Sequence, residues 1–164
     1  MADLRELLES LGHSEVSTLG QSGNAVFTSA PSAPDQIAPA IEAAILKRFD
    51  MKVSVLLRSA EELQRIVNEN PLPEALAEPS RLQVAFLSET PSPERIASLS
   101  PADFEPDQFR FGERVIYAWY RTGILESKLP YVWEKHLGVT ATSRNWNTVT
   151  RLAQVAGGSL PARP

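Results

Sequence analysis

The chain has 164 residues, 43% hydrophobic and 22% charged, a composition that suits one ordinary domain or two small ones and argues against disorder. The absence of cysteine excludes disulfides, thiolate nucleophiles and thiolate metal sites, and no apolar run approaches the ~20 residues that cross a bilayer. The net charge of -4 is unevenly spread, with ten Lys/Arg against eighteen Asp/Glu in residues 1–120 and six against two in residues 121–164, so any attraction for phosphate or nucleic acid falls to the C-terminal part.

The start, Met1-Ala2-Asp3-Leu4-Arg5-Glu6, is charged and periodic where a signal sequence would be apolar, and a cytoplasmic protein is expected. Leu4, Leu7, Leu8 and Leu11 form one helical stripe that Gly12 can terminate. Val16–Leu19 and Ala25–Phe27 flank Gln21-Ser22-Gly23-Asn24, whose Gly and Asn accept the positive φ of a tight turn, which predicts an antiparallel hairpin. Ile37, Ile41, Ala44, Ile45 and Phe49 then line a second helix, with Pro39 placed in or near its first turn. Lys52–Leu57 is short and rich in Val and Leu and reads as a buried strand.

Ser59-Ala60-Glu61-Glu62 is a capping box that opens a third helix. Seven of the thirteen prolines lie between residues 71 and 106, and a domain boundary is placed around Pro71–Ser80. Beyond it come a strand at Leu82–Leu87, a short helix capped by Ser92, and a hairpin of Gln108–Phe111 with Arg114–Tyr120, the second strand apolar on both faces. Ser127 is read as the cap of a helix with Leu129, Val132, Trp133, His136 and Leu137 on its inner face and Pro130 in its first turn. Val139–Thr142 makes a last edge strand, Trp146, Val149, Leu152, Ala153 and Ala156 the stripe of a terminal helix, and the tail from Gly157 is expected to fray. The predicted core includes Leu7, Leu11, Ile41, Ile45, Val84, Phe86, Val115, Tyr117, Leu129 and Trp133.

In outline the second half is strand, helix, strand, strand, helix, strand, the ferredoxin-like order, and the first half is the same pattern without its opening strand. The expected fold is therefore α+β, with two ferredoxin-like (split βαβ) subdomains at 1–58 and 81–156, joined by a helix and Pro-rich linker at 59–80. A gap in the first sheet would be closed by an upstream segment or by another chain, giving a homodimer through the incomplete sheet.

Polar residues crowd the run Thr142-Ser143-Arg144-Asn145-Trp146-Asn147-Thr148-Val149-Thr150, which reads as the capped start of the last helix. This run, together with Gln21-Ser22-Gly23-Asn24-Ala25-Val26-Phe27 and Ser127-Lys128-Leu129, resembles the signature of an uncharacterised bacterial family, the domain of unknown function 1697. The resemblance runs from Met1 to about Ala156 and implies a fold but no activity. It also implies an apolar strand and a Gly-rich loop ahead of Met1, which this sequence lacks.

Catalytic chemistry is weakly signalled. His13 follows a helix-ending glycine and reads as an exposed loop residue, while His136 lies on a helix stripe, and neither has a nucleophile in prospect. No metal-ligand spacing and no phosphate-binding glycine motif occurs, and no cofactor is implied. Trp119 and Trp133 read as core, whereas Trp146 either anchors its helix or stacks on a ligand. The sequence points to a binding or interaction module with an anion site formed by Ser127, Lys128, Arg144, Asn145 and Asn147 at two helix N-termini, Trp146 being its wall. The ligand expected is a phosphate-containing small molecule or nucleic acid, with no membrane. The alternative is a nucleotide- or nucleic-acid-related enzyme whose working loop lies in the absent N-terminal segment.

Overall fold

A computed structural model describes residues 1–129 and 132–158. Its elements run α1 (Ala2–Ser10), β1 (Ser14–Leu19), β2 (Asn24–Thr28), α2 (Pro34–Phe49), α3 (Ala60–Asn68), β3 (Leu82–Leu87), α4 (Pro93–Ala97), β4 (Gln108–Gly112), β5 (Val115–Trp119), α5 (Trp133–Leu137), β6 (Ala141–Asn145) and α6 (Trp146–Ala156), with short 3-10 turns at Pro73–Ala77 and Pro101–Phe104. The protein is mixed α/β with two antiparallel sheets, β1-β2 and β4-β5-β3-β6. It divides into two compact units, one built from Met1–Leu63 and the described residues from Arg151, the other from Gln64–Thr150. The division falls inside α3, ahead of the Pro-rich stretch where composition places it.

In the first unit, Leu7 and Leu8 of α1 are buried, and Gly12 at φ +88° follows the helix as its spacing predicts. Leu8, Val16, Ile37 and Ile41 form the core, with Leu4, Leu11, Ala25, Phe27, Ile45, Val55 and Leu57 packed against it. The β1-β2 hairpin forms with Gly20 and Gly23 at positive φ. Two expectations fail here. α2 starts at Pro34, which places Pro39 inside the helix. Pro39 is exposed, so the carbonyl it leaves without an i+4 donor faces the solvent side. Among the described residues Lys52–Leu57 pairs with no strand, and a strand exists only through its ladder. At Ser59 the capping box is formed in full: Ser59 N–H donates to Glu62 Oε2 (2.8 Å) and Glu62 N–H to Ser59 Oγ (3.1 Å).

In the second unit β5 is buried along its whole length, as its apolar alternation on both faces requires. One face of the sheet carries Ala85, Leu87, Phe109, Ile116, Ala118 and Tyr120 against Leu99, Leu129, Trp133 and Leu137. The other carries Leu82, Val84, Phe86, Val115, Tyr117 and Trp119, all buried, and the Tyr117 hydroxyl donates to the Ile66 carbonyl of α3 at 2.9 Å. A Cβ on Gly112 would stand 2.9 Å from Val115 Cγ2 and 3.0 Å from Tyr117 Cε2, so close packing explains the glycine at the hairpin. α5 is shorter than predicted. Ser127 Oγ accepts from Leu129 N–H at 3.1 Å and closes a local turn, with the helix itself starting at Trp133; Pro130 and the tail beyond residue 158 lie outside the described residues. The polar run Thr142–Asn145 lies in β6 (Ala141–Asn145), an edge strand paired with β3, and Asn145 acts as a cap. Polar side chains suit an edge strand as well as a helix start, which is why composition alone misassigns the boundary.

Candidate functional site

Antiparallel register brings the start of β3, the end of β5, the start of β4 and the end of β6 to one end of the four-stranded sheet, where Gln108, Trp119, Leu82 and Asn145 lie. Asn145 is built into this end on both sides. Its Oδ1 accepts from Asn147 N–H at 3.0 Å, capping α6, and its Nδ2 donates to the Ser80 carbonyl at 2.9 Å. Beside it, Arg81 Nη1 donates to the Arg121 carbonyl (2.7 Å) and lies 3.1 Å from Glu78 Oε1. The Arg121 guanidinium stands 4.9 Å from the centroid of the Trp119 ring, close enough for a cation-π contact. Two exposed guanidiniums and the N-terminus of an eleven-residue helix thus share the sheet end, with one carboxylate, Glu78, in ion-pair reach.

Below them sits a buried carboxylate. Asp107 is 5% exposed, and its Oδ1 accepts from the Thr122 N–H and hydroxyl, each at 3.4 Å. These bonds tie the start of the loop 121–128 to the start of β4, and the loop carries Leu125, 93% exposed, at its tip. Burial pushes the Tyr120 phenol up to about 12; the Trp133 indole lowers it and the Asp107 charge raises it further.

The five residues read as one anion site are divided by the sheet. Arg144 stands opposite Val84, on the face of Tyr117 and Arg110, where its Nη1 donates to Thr142 Oγ1 (2.7 Å) and the Ser143 carbonyl (2.8 Å). Burial lowers its pKa. Lys128, exposed, adjoins Leu129, which packs on the opposite face with Ala85 and Ala118. The Ser127 hydroxyl is buried and already accepts from Leu129 N–H. Asn145 and Asn147 remain at the sheet end, and Trp146 is buried, in keeping with an anchor for α6.

The hairpin motif lies in the other unit, with Gln21, Ser22 and Gly23 exposed at its tip and Asn24 Nδ2 donating to the Leu19 carbonyl at 3.2 Å. His13 corrects its sequence reading: it is 7% exposed, its Nδ1 accepts from Ala30 N–H at 3.1 Å, and its ring lies 4.5 Å from that of Phe27. That nitrogen is therefore engaged and serves no nucleophile. His136 is exposed, and its carbonyl accepts from Arg95 Nη1 at 2.8 Å. No three His, Asp or Glu among the described residues form a metal-binding group. Sequence reasoning passes over Arg81, Arg121 and Asp107; the Trp119-x-Arg121 spacing, which puts both side chains on one face at a strand end, is the one signal that could have found Arg121.

Among these described residues no helix is long and apolar enough to cross a membrane. Curated proteins yield no match. The chain is similar to a solved structure, that of the conserved bacterial protein SP0830 from Streptococcus pneumoniae, with a TM-score of 0.74 and 21% identity over 96% of this chain and 88% of that one. At that identity the likeness shows the fold alone. The family described as a protein of unknown function, DUF1697, matches residues 1–117, a span that holds the Gln21–Asn24 hairpin and stops short of the Thr142–Thr150 run. With well over half its length matched, the chain belongs to the DUF1697 family.

Proposed function

We propose that the protein is a binding module that takes a phosphate-bearing small molecule at the end of its four-stranded sheet. The observation that carries this reading is the placement of Arg121 over Trp119 beside Arg81, next to the N-terminus of α6. Guanidiniums bind phosphate oxygens in a planar, bidentate way, and the free N–H groups of a helix start favour the same charge. Asn145 and Asn147 stay in the site from the sequence reading, while Arg144 and Lys128 are left out because the sheet separates them. Small molecules are favoured over nucleic acid because two arginines make a point of charge, where a nucleic-acid face needs a stripe. We take the cytoplasm as its setting.

For the fold, we read the second unit as ferredoxin-like, on the support of its order β3-α4-β4-β5-α5-β6 and its strand sequence β4-β5-β3-β6. The first unit is read as a related pattern with two strands. Subdomains at 1–58 and 81–156 are kept as our reading; the compact units divide the chain differently, within α3 and within α6.

Calorimetric titration with inorganic phosphate and with a nucleoside monophosphate tests the reading. Millimolar or tighter binding is expected (about -4 kcal/mol or stronger), weakened about tenfold by Arg121→Ala or Arg81→Ala, as loss of a charge-assisted bond implies, and unchanged by Lys128→Ala. No heat with either ligand, or equal loss in Lys128→Ala, refutes it; binding confined to an oligonucleotide moves the ligand class to nucleic acid.

A further inference from the structure

Within the second unit, the large hydrophobic side chains left in water among the described residues are Leu76, Ile124 and Leu125, 47%, 39% and 93% exposed. All three belong to segments that meet the proposed anion site. Leu76 lies in the 3-10 turn just ahead of Glu78, the ion-pair partner of Arg81. Ile124 and Leu125 follow Arg121 through two successive turns, in which the Tyr120 carbonyl accepts from Gly123 N–H at 3.0 Å and the Gly123 carbonyl from Glu126 N–H at 3.2 Å. Arg121 and Thr122 are the corner of the first turn and Ile124 and Leu125 the corner of the second, and the chain from Arg121 to Ile124 spans at most about 11 Å even when extended. Turn corners are ordinarily taken by Gly, Asn, Asp, Ser or Pro, which supply the dihedral angles or the local hydrogen bonds. Ile and Leu supply neither, and exposed at a corner they gain little from burial. Single apolar residues on a surface need no explanation, whereas apolar side chains gathered beside polar groups mark a surface that receives a ligand.

We propose that the ligand of the sheet end is a phosphate monoester of an apolar alcohol or phenol, its phosphate held by Arg81, Arg121 and the start of α6 and its apolar group lying on Ile124 and Leu125. This inference rests on the phosphate reading above and narrows it to one class of ester. Binding sites join a few placed polar groups to an apolar wall, and here the wall borders the cations, so the ligand that covers it carries negative charge at one end and hydrocarbon at the other. Inorganic phosphate satisfies the arginines and leaves Leu125 in water. From Thr122 to Leu125 the loop carries no charge, which suits a hydrocarbon neighbour, since a charge covered by one loses its hydration. The source is a soluble ester and not a bilayer surface: exposed Glu126 adjoins Leu125 and the whole chain carries -4, and an anionic leaflet repels both.

Calorimetric titration of the full chain with phenyl phosphate and with glycerol phosphate, esters of like charge that differ in the apolar group, tests it. Phenyl phosphate should bind at least about fivefold tighter than glycerol phosphate, the effect of covering part of one Leu side chain, and Leu125→Ser should bring the two affinities to within about twofold of each other. Leu125 is almost wholly exposed, so the substitution leaves the fold intact. Equal affinities in the wild type, or a preference that survives Leu125→Ser, overturns the inference and leaves the phosphate reading standing. No heat with either ester or with inorganic phosphate removes that reading and the inference with it. Sedimentation with phosphatidylcholine vesicles that carry phosphatidic acid separates the sources: the protein is expected to stay in the supernatant, and pelleting with the charged vesicles alone assigns the ligand to a membrane and overturns the soluble ester.

Discussion

Replacing Tyr117 by Phe removes one oxygen from the best-defined link between helix and sheet in the second unit. Tyr117 is 3% exposed, and its hydroxyl donates to the Ile66 carbonyl at 2.9 Å. Ile66 lies in the last turn of α3, where carbonyls run out of i+4 donors, so the phenol acts as a cap. The net worth of such a bond is about 1 kcal/mol, and stranding the buried acceptor raises the cost to about 1–3 kcal/mol, which lowers Tm by about 2–4 °C per kcal/mol in a chain of this size. Burial, then the nearby Glu69 charge, push the Tyr117 phenol up to about 12. A raised phenol pKa means that the unfolded chain ionises first, so stability is full below pH ~10 and falls as pH rises towards ~12. Tyr120 contributes a decline of the same sign. Urea unfolding followed by tryptophan fluorescence is the assay, because Trp119, Trp133 and Trp146 all lie in the second unit. Tyr117→Phe should be destabilised at pH 7 and lose a smaller share between pH ~10 and ~12 than the wild type. A variant within about 0.5 kcal/mol of wild type, or one with an unchanged alkaline decline, refutes the capping argument.

Ser59→Ala should cost about 1 kcal/mol, and adding Glu62→Ala should cost less than the sum of the two single changes, as measured in a double-mutant cycle, because the two side chains form one reciprocal cap. Gly138 sits at φ +68° with Arg95 Nη1 2.9 Å from where a Cβ would stand; Gly138→Ala is expected to lose about 1–2 kcal/mol in urea unfolding and Arg95→Ala less. Asp107→Ala, which removes the Oδ1 acceptor, should loosen the loop that carries Leu125 and speed chymotryptic cleavage there by about tenfold, the effect of about 1.4 kcal/mol in local opening; an unchanged cleavage rate would show that Asp107 does not hold the loop.

Local chemistry was readable where one principle acts alone. The Leu4–Leu11 stripe, the Ser59 capping box and the two-sided apolar β5 each follow from spacing and stand where spacing puts them, and the hairpin turn forms at Gln21–Asn24, although positive φ falls to Gly20 and Gly23 and not to Asn24. Readings went astray where the same residues serve two structures. Thr142–Asn145 suits a helix cap and a polar edge strand equally, and the pairing with β3, a long-range fact, decides for the strand. Proline's intolerance of helix interiors points Pro39 to or near a first turn, yet α2 starts at Pro34 and holds Pro39 within it. His13 is buried through a main-chain donor, Ala30, seventeen residues away, which no local pattern announces. Arg144 and Lys128 are both N-terminal to helices in sequence, yet the two-residue period of β6 and the course of the chain to Leu129 send them to different faces. Arg81 and Arg121 are forty residues apart and meet only through the β3-β5 pairing.

Amide NMR spectra recorded during a titration with inorganic phosphate test the anion site most directly. The account predicts saturable shifts concentrated at Arg81, Arg121, Asn147 and Thr148, with Lys128 and Gln21–Asn24 unmoved. Shifts centred on Lys128 or on the hairpin tip, or no saturable shift up to about 10 mM phosphate, a limit near -3 kcal/mol of binding, would contradict it.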